Sequence, residues 1–171
     1  NTPVGGDRNV YFTSEGGRIS RSSRDLVPGG ESLYEDSMDA EALFKTLKNQ
    51  KNPEAFNFAH VGGRYADLRF HDGDVEKAVE VHSAWGTFEW FLREALERGY
   101  RVGFVANSDG HKADPGAAYP GDSKFGAQGG LTCVLAEKLD RENVYQAIKA
   151  RHFYATTGGR ALLDLNLDLG G

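Results

Sequence analysis

The chain has very little cysteine and no long apolar segment. Cys133 is the only cysteine among 171 residues, so no disulfide can form within the chain. No apolar run approaches the roughly 20 residues that a membrane-spanning helix needs, and no signal-peptide pattern opens the sequence. We therefore expect no membrane partner, and a single cysteine is consistent with the cytoplasmic location that we predict.

Positive charge is also scarce. The 20 lysines and arginines are outnumbered by 25 aspartates and glutamates, which gives a formal net charge of −5. A surplus of negative charge opposes binding to a nucleic-acid backbone, so we expect no nucleic-acid partner. Hydrophobic residues make up 39% of the chain and charged residues 26%, which is typical of a globular protein long enough to form one domain core.

Strand-like and helix-like segments alternate along most of the sequence. Apolar periodicity and capping residues predict them. The predicted strands cover 10–13, 56–59, 78–82, 102–106, 131–136, 153–155 and 161–169. The predicted helices follow Asp36 or Ser37 as far as Asn49, run from Phe88 to a cap at Gly99, and follow Asp140 as far as Arg151. Such alternation is typical of βαβ units and predicts an α/β fold with largely parallel strands.

Three successive predicted strands end in residues that can bind a metal ion. The first leads into His60, the second carries Glu80 and His82, and the third leads into Asp109 and His111. The C-terminal ends of parallel strands lie at one edge of a sheet, so these side chains can converge on one cleft. Carboxylates and imidazoles are suitable ligands for zinc, manganese or iron. We therefore predict a divalent metal site formed by these five residues.

Each of these residues also has a purely structural interpretation. His60 can be a hydrogen-bonded histidine of the core. Glu80 and His82 lie on one face of their strand and can simply pair with each other. Asp109 can cap a turn while His111 is a solvated loop residue. Spacing alone does not decide between these interpretations and a metal site.

Two basic residues adjoin the predicted site in the sequence. Arg64 follows a Gly-Gly turn after His60, and Lys112 comes directly after His111. A guanidinium can hold a phosphate through two hydrogen bonds, whereas an ammonium acts as a point charge. We predict that both bind substrate, with an ordinary surface charge as the alternative for each. The glycine-rich segment 113–130 has the length of a loop that covers a binding site.

Several of these segments together resemble one known family. They are Phe58-Ala-His60 with the Gly-Gly-Arg that follows, the strand Val79-Glu-Val81, and Asn107-Ser-Asp-Gly-His111. In this order they resemble the second half of the PHP (polymerase and histidinol phosphatase) superfamily of metal-dependent phosphoesterases. Residues 81–90 and 151–157 most resemble an uncharacterised branch of large bacterial PHP-like proteins. The resemblance extends over nearly the whole chain.

The resemblance implies a fold, an activity and roles for particular residues. It implies part of a distorted, seven-stranded β/α barrel and a hydrolase that attacks a small anionic, phosphorylated substrate with a metal-activated water. His60 matches a strand-end metal ligand of the family. Asp109 and His111 match its closing Asp-x-His ligand pair, which we also take as the catalytic residues. Glu80 and His82 have no firm counterpart among the usual ligands and are predicted from position only.

The sequence departs from the family at its beginning. PHP domains open with a His-x-His strand, and residues 1–59 contain no histidine. We therefore expect residues 1–171 to be a single partial domain without its first metal-binding half, inactive alone, with strand 161–169 leading into a further domain. The alternative is a PHP-like module that keeps the fold for structural or partner-binding purposes without catalysis. Pairing of two copies through an exposed sheet edge is compatible with either function.

Overall fold

A computed structural model of the chain describes residues 2, 4–20, 36–50, 53–112, 119, 121, 125 and 127–165. Within these residues the chain forms seven strands and three short helices. The strands are β1 (Arg8–Phe12), β2 (Ala55–Ala59), β3 (Glu76–Ser83), β4 (Gly86–Thr87), β5 (Gly103–Ala106), β6 (Leu131–Val134) and β7 (Phe153–Thr156). The helices are α1 (Ala40–Asn49), α2 (Glu89–Glu97) and α3 (Arg141–Ala150). None of these described helices has both the length and the apolar character needed to cross a membrane.

The strands form two sheets with mixed directions. In the five-stranded sheet, β1 is antiparallel to β2, β2 and β5 are both parallel to β3, and β4 is antiparallel to β3. The two-stranded sheet pairs β6 with β7 in antiparallel fashion. Three of the five strand pairings in the described residues are therefore antiparallel.

The predicted fold class, part of a β/α barrel with largely parallel strands, is wrong. In the described part of the chain the sheets do not close into a barrel, and strands and helices do not alternate regularly. A loop rather than a helix joins the parallel strands β2 and β3, while α3 joins the antiparallel strands β6 and β7. The prediction failed because apolar periodicity identifies strands but carries no information on the direction in which they pair.

Most of the individual elements were nevertheless predicted. Asp140 caps α3 as expected, since its carboxylate accepts a hydrogen bond from a backbone N–H of the first turn at 2.8 Å. Helix α1 is capped by Asp39 instead of either predicted residue. Gly99 follows α2 in the left-handed conformation, with φ +73°. Of the predicted last strand, residues 161–165 are not in a strand and residues 166–169 lie outside the described residues.

The core lies on both faces of the larger sheet. Successive residues of a strand point to opposite faces, and β2 is buried along its whole length. Ala55 packs in a cluster with α1, and Ala59 packs in a cluster with α2. Phe56 and Phe58 point to the opposite face, where they pack with Tyr145 of α3. The helices thus cover both sides of the strand that leads into the predicted site.

A buried ion pair connects the first strand to the third. Nε of Arg8 lies 2.9 Å from Oε2 of Glu76, and both side chains are fully buried. The guanidinium also donates to one backbone carbonyl before β1 and to two in the loop 60–75. The other carboxylate oxygen of Glu76 lies 2.8 Å from Nδ1 of His71. These bonds compensate for the burial of the two charges and hold the loop 60–75 against β1.

Replacing Arg8 with Met tests this role, because it leaves Glu76 buried without its cation. Removing one partner of a buried pair costs about 3–5 kcal/mol, and we expect Arg8→Met to lower the free energy of unfolding by that amount. Arg69→Met is the control, because it removes only an exposed pair with Asp67 and is expected to cost less than about 1 kcal/mol. Urea unfolding measures both losses, and similar losses for the two variants would contradict the role of Arg8.

Candidate functional site

A cleft of about 480 Å³ opens at one edge of the five-stranded sheet. Its walls come from the segments that follow β2, β3 and β5, from the residue before β1 and from the start of β1. Four of the residues predicted from the sequence line this cleft: His60, Arg64, Asp109 and His111. The structure therefore brings together predicted side chains from two separate parts of the chain, the segments that follow β2 and β5.

His60 is held by a buried carboxylate. Its Nδ1 lies 2.6 Å from Oε2 of Glu80, whose side chain is fully buried on β3. The same oxygen accepts a hydrogen bond from the backbone N–H of Val61 at 3.3 Å. The other ring nitrogen of His60 faces the cleft, where Nε2 lies 3.8 Å from Oδ2 of Asp109. His60 therefore has one nitrogen fixed by the protein interior and one directed at a cleft carboxylate.

Burial and charge act on the pKa of His60 in opposite directions. Burial disfavours the imidazolium and by itself lowers the pKa. The hydrogen bond to Glu80 and the negative charges of Glu80, Asp109 and Asp7 favour the imidazolium. Together these groups outweigh burial and raise the pKa of His60 above its usual value. The ring thus retains its proton to a higher pH than an ordinary histidine.

Asp109 and His111 meet through a turn of unusual backbone conformation. Both are non-glycine residues with positive φ, 46° and 55° respectively. Such conformations are uncommon and persist where the surrounding structure fixes them, often at functional sites. Nδ1 of His111 lies 2.9 Å from the backbone carbonyl oxygen of Asp109 and 3.4 Å from its Oδ1. The side chain of Asp109 is 19% exposed and that of His111 is 55% exposed, so His111 lies at the rim.

The backbone of Gly62 lies against the pair formed by His60 and Asp109. A Cβ atom at this position would lie 2.8 Å from Nε2 of His60 and 3.0 Å from Oδ2 of Asp109. Both distances are shorter than ordinary van der Waals contact, so any side chain at position 62 would displace one of the two groups. Glycine is needed here because of the close approach of the backbone.

Two residues predicted as metal ligands do not line the cleft. Glu80 contacts His60, and its second oxygen, Oε1, is buried without a hydrogen-bond partner among the described residues. His82 has protein partners at both ring nitrogens, Thr87 Oγ1 at 2.7 Å from Nδ1 and the Gln128 carbonyl oxygen at 2.9 Å from Nε2. The pairing of β3 with β5 shifts register between Glu80 and His82, so these two residues do not continue one regular face.

Of the two cations predicted to bind substrate, Arg64 lines the cleft and Lys112 does not. The side chain of Arg64 is 55% exposed, and its Nε lies 3.6 Å from Oδ1 of Asp7. Lys112 is exposed on the segment that follows the cleft residue His111. Most of the predicted covering loop 113–130 lies outside the described residues.

Asp7 is a cleft residue that the strand-end pattern does not reveal. It directly precedes β1, and its carbonyl oxygen accepts a hydrogen bond from the backbone N–H of His60 at 3.2 Å. Because β1 is antiparallel to β2, the residue before β1 lies beside the residue after β2. The expectation of parallel strands directs attention to C-terminal strand ends alone. A prediction that β1 is antiparallel to β2 would have placed Asp7 beside His60.

The pair formed by His60 and Asp109 fits a divalent ion. Imidazole nitrogens and carboxylate oxygens bind zinc at about 2.0–2.2 Å. One ion can therefore contact both Nε2 of His60 and Oδ2 of Asp109 across the observed 3.8 Å. A carboxylate on the other nitrogen, here Glu80, is the usual support of a metal-binding histidine. Over the described ranges, however, no three His, Cys, Asp or Glu side chains are grouped closely enough to hold an ion.

Replacing Glu80 with Gln tests the electrostatic coupling in this site. The change removes the carboxylate charge but keeps the size of the side chain, and we expect the pKa of His60 to fall because the hydrogen bond and charge of Glu80 both raise it. NMR titration of the imidazole protons measures this pKa. Glu94→Gln, which alters a pair with Arg98 on the surface of α2, is the control. An unchanged pKa of His60 in Glu80→Gln would contradict the coupling.

Comparisons with known proteins identify relatives without giving a function. Residues 118–166 match a family described as "Protein of unknown function (DUF3604)". An uncharacterised protein of Chlamydia pneumoniae is 31% identical over 116 residues, which cover 55% of this chain and 18% of that protein. Uncharacterised proteins of Chlamydia muridarum and Chlamydia trachomatis serovar D are each 28% identical, over 59% and 57% of this chain and 20% and 19% of the respective relative. No solved structure matches the chain significantly.

These matches cover only parts of the proteins compared. The chain spans about a fifth of the length of the curated relatives it matches. The family match begins after the last residue that lines the cleft, so it includes none of the candidate ligands. None of these matches carries the name of the PHP superfamily. The chain is thus similar to proteins of unknown function.

Proposed function

We propose that this chain provides part of the active site of a metal-dependent hydrolase that acts on a small anionic, phosphorylated substrate. The observation that carries the proposal is the setting of His60, with Nδ1 fixed by buried Glu80 and Nε2 facing Asp109 at 3.8 Å. A half-buried imidazole is suited to binding zinc, manganese or iron when one ring nitrogen is hydrogen-bonded to a carboxylate and the other faces a second carboxylate. The resemblance of the sequence motifs to PHP phosphoesterases supports the same activity, although the barrel that it implies is absent from the described residues.

Each cleft residue has a role in this proposal. When bound, a divalent ion lowers the pKa of a coordinated water and offsets charge on the phosphoryl oxygens. Asp109 and Nε2 of His60 would hold the ion, and Glu80 keeps the proton of His60 on Nδ1 so that the lone pair of Nε2 faces the cleft. Arg64 at the rim contacts the anionic substrate. His111, beside Asp109 and half exposed, is positioned to exchange a proton with groups at the rim.

The proposal includes further ligands in a longer protein. Catalytic zinc sites usually have three protein ligands, whereas His60 and Asp109 supply two. The curated relatives are about three times as long as this chain, which leaves room for additional ligands in the rest of such a protein. We therefore expect the isolated chain to bind metal and to hydrolyse phosphate esters slowly or not at all.

A second candidate function is that of a structural or partner-binding module without catalysis. The observation that favours it is that no group of three metal-binding side chains occurs in the ranges the structure describes. Such a module does not need to bind metal, whereas the hydrolase does. Metal binding to the isolated chain therefore distinguishes the two candidates.

Isothermal titration with Zn²⁺ and Mn²⁺ tests the hydrolase proposal. We expect one ion to bind per chain near neutral pH, and we expect Asp109→Asn to weaken binding by more than about tenfold because it removes a charged ligand. Asp74→Asn is the matched control, since it removes the same charge from an exposed residue outside the cleft. Equal affinity in Asp109→Asn and Asp74→Asn would contradict the assignment, and no binding to the unaltered chain would favour the second candidate.

Two glycine-to-alanine variants provide an independent test of the metal position in the same titration. Gly62→Ala places a Cβ atom against His60 and Asp109 and is expected to weaken metal binding without removing a ligand. Gly159→Ala is its control, because a Cβ atom at position 159 has no neighbour within 4 Å. If both variants bind metal as the unaltered chain does, the ion does not lie between His60 and Asp109.

A further inference from the structure

Trp85 lines the cleft and stacks on a second aromatic ring, that of Phe125. The rings of Trp85 and Phe125 lie 4.0 Å apart between centroids, with an angle of 17° between their planes. The ring of His111 meets Phe125 edge-on, at 4.9 Å and 80°. We call Trp85 and Phe125 the aromatic wall. It is continuous with the rim residue His111 and therefore lies beside the candidate metal ligands.

The turn at Gly62 and Gly63 places the aromatic wall next to the metal-binding pair. A Cβ atom on Gly62 would collide with His60 and Asp109, and a Cβ atom on Gly63 would lie 2.9 Å from Cη2 of Trp85. Two neighbouring Cα atoms are about 3.8 Å apart, so one short stretch of backbone touches both groups. The aromatic wall and the pair formed by His60 and Asp109 are therefore close enough for one small ligand to contact both.

The indole of Trp85 also presents apolar surface to a cleft that is otherwise highly polar. Trp85 remains 41% exposed despite its contacts with Phe125 and Gly63. Charged side chains, among them Arg64 and Asp109, form much of the remaining lining. Small-molecule sites typically combine an aromatic surface with a few polar groups that fix the orientation of the ligand. A ligand that matches this cleft has a flat apolar part joined to a charged part.

We propose that the substrate of this site is an aryl phosphate, with a planar aromatic ring esterified to its phosphate group, and that Trp85 binds this ring by stacking. The inference rests on the proposed hydrolase function for the phosphate group and on the aromatic wall for the ring. Aromatic rings prefer offset stacking or edge-to-face contact, and the exposed part of the Trp85 indole suits such contacts. Specificity for the ring thus comes from this chain, independently of metal ligands elsewhere.

The fluorescence of Trp85 can be measured separately in a single variant. The chain has two tryptophans, Trp85 and Trp90, so the variant Trp90→Phe leaves the indole of Trp85 as the only one. We expect phenyl phosphate to change the fluorescence of this variant in the presence of Zn²⁺. We also expect it to bind about five- to tenfold more tightly than cyclohexyl phosphate, which has the same charge and a similar size but no aromatic ring.

Substitutions of Trp85 test whether this residue causes the preference. By isothermal titration, Trp85→Ala is expected to bind the two esters equally, whereas Trp85→Tyr is expected to retain most of the preference because it keeps an aromatic ring. Equal affinity of the unaltered chain for the two esters, or a preference that persists in Trp85→Ala, would overturn the proposal. So would binding of glucose 1-phosphate as tight as that of phenyl phosphate, because its ring is not aromatic.

A neutral pair of probes separates this proposal from the proposed function. Phenol and cyclohexanol, titrated without metal and followed by NMR, report on the aromatic wall alone. A preference for phenol that depends on Trp85 supports the aromatic site even if the chain binds no metal, in which case the hydrolase proposal alone fails. Metal binding without any preference for an aromatic ring, in either pair of probes, overturns the aromatic site and leaves the hydrolase proposal intact.

Discussion

The geometry of the cleft depends on the buried ion pair between Arg8 and Glu76. Arg8 directly follows the cleft residue Asp7, and its guanidinium also binds carbonyl groups of the loop 60–75, which carries His60 and Arg64. Two sides of the cleft are thus attached to one cation. Because both charges are fully buried, water cannot replace either partner when the other is lost. The buried pair therefore holds the segment before β1 and the loop 60–75, which form two sides of the cleft.

A second buried carboxylate, that of Glu80, holds a side chain of the candidate site. Glu80 holds one nitrogen of His60 in the interior, so that the other nitrogen faces Asp109 in the cleft. The carboxylates around the ring raise its pKa, and a divalent cation placed next to it would be attracted by the same charges. The buried carboxylate of Glu80, the half-buried imidazole of His60 and the cleft carboxylate of Asp109 are thus the features on which the proposed metal site depends.

The sequence predicts the elements and the central site residues better than it predicts the fold. Apolar periodicity and capping located most strands and helices, and strand-end positions led to His60 and Asp109, which do line one cleft. Pairing direction cannot be read from periodicity, so the fold class was wrong and Asp7 was missed. His82 was predicted as a ligand only from its position near a strand end, but both of its ring nitrogens have protein partners. The pairing direction of the strands, the position of Asp7 and the partners of His82 all depend on contacts between residues that are far apart in the sequence.

The most direct test of the central claim is anomalous diffraction at the zinc edge from crystals of the chain grown with Zn²⁺. The structure predicts one strong peak between Nε2 of His60 and the carboxylate of Asp109, with ligand distances of about 2.0–2.2 Å. The bond between His60 and Glu80 is expected to remain in place. A peak at other histidines with none between His60 and Asp109, or no peak at all, would contradict the claim that this cleft is a metal site.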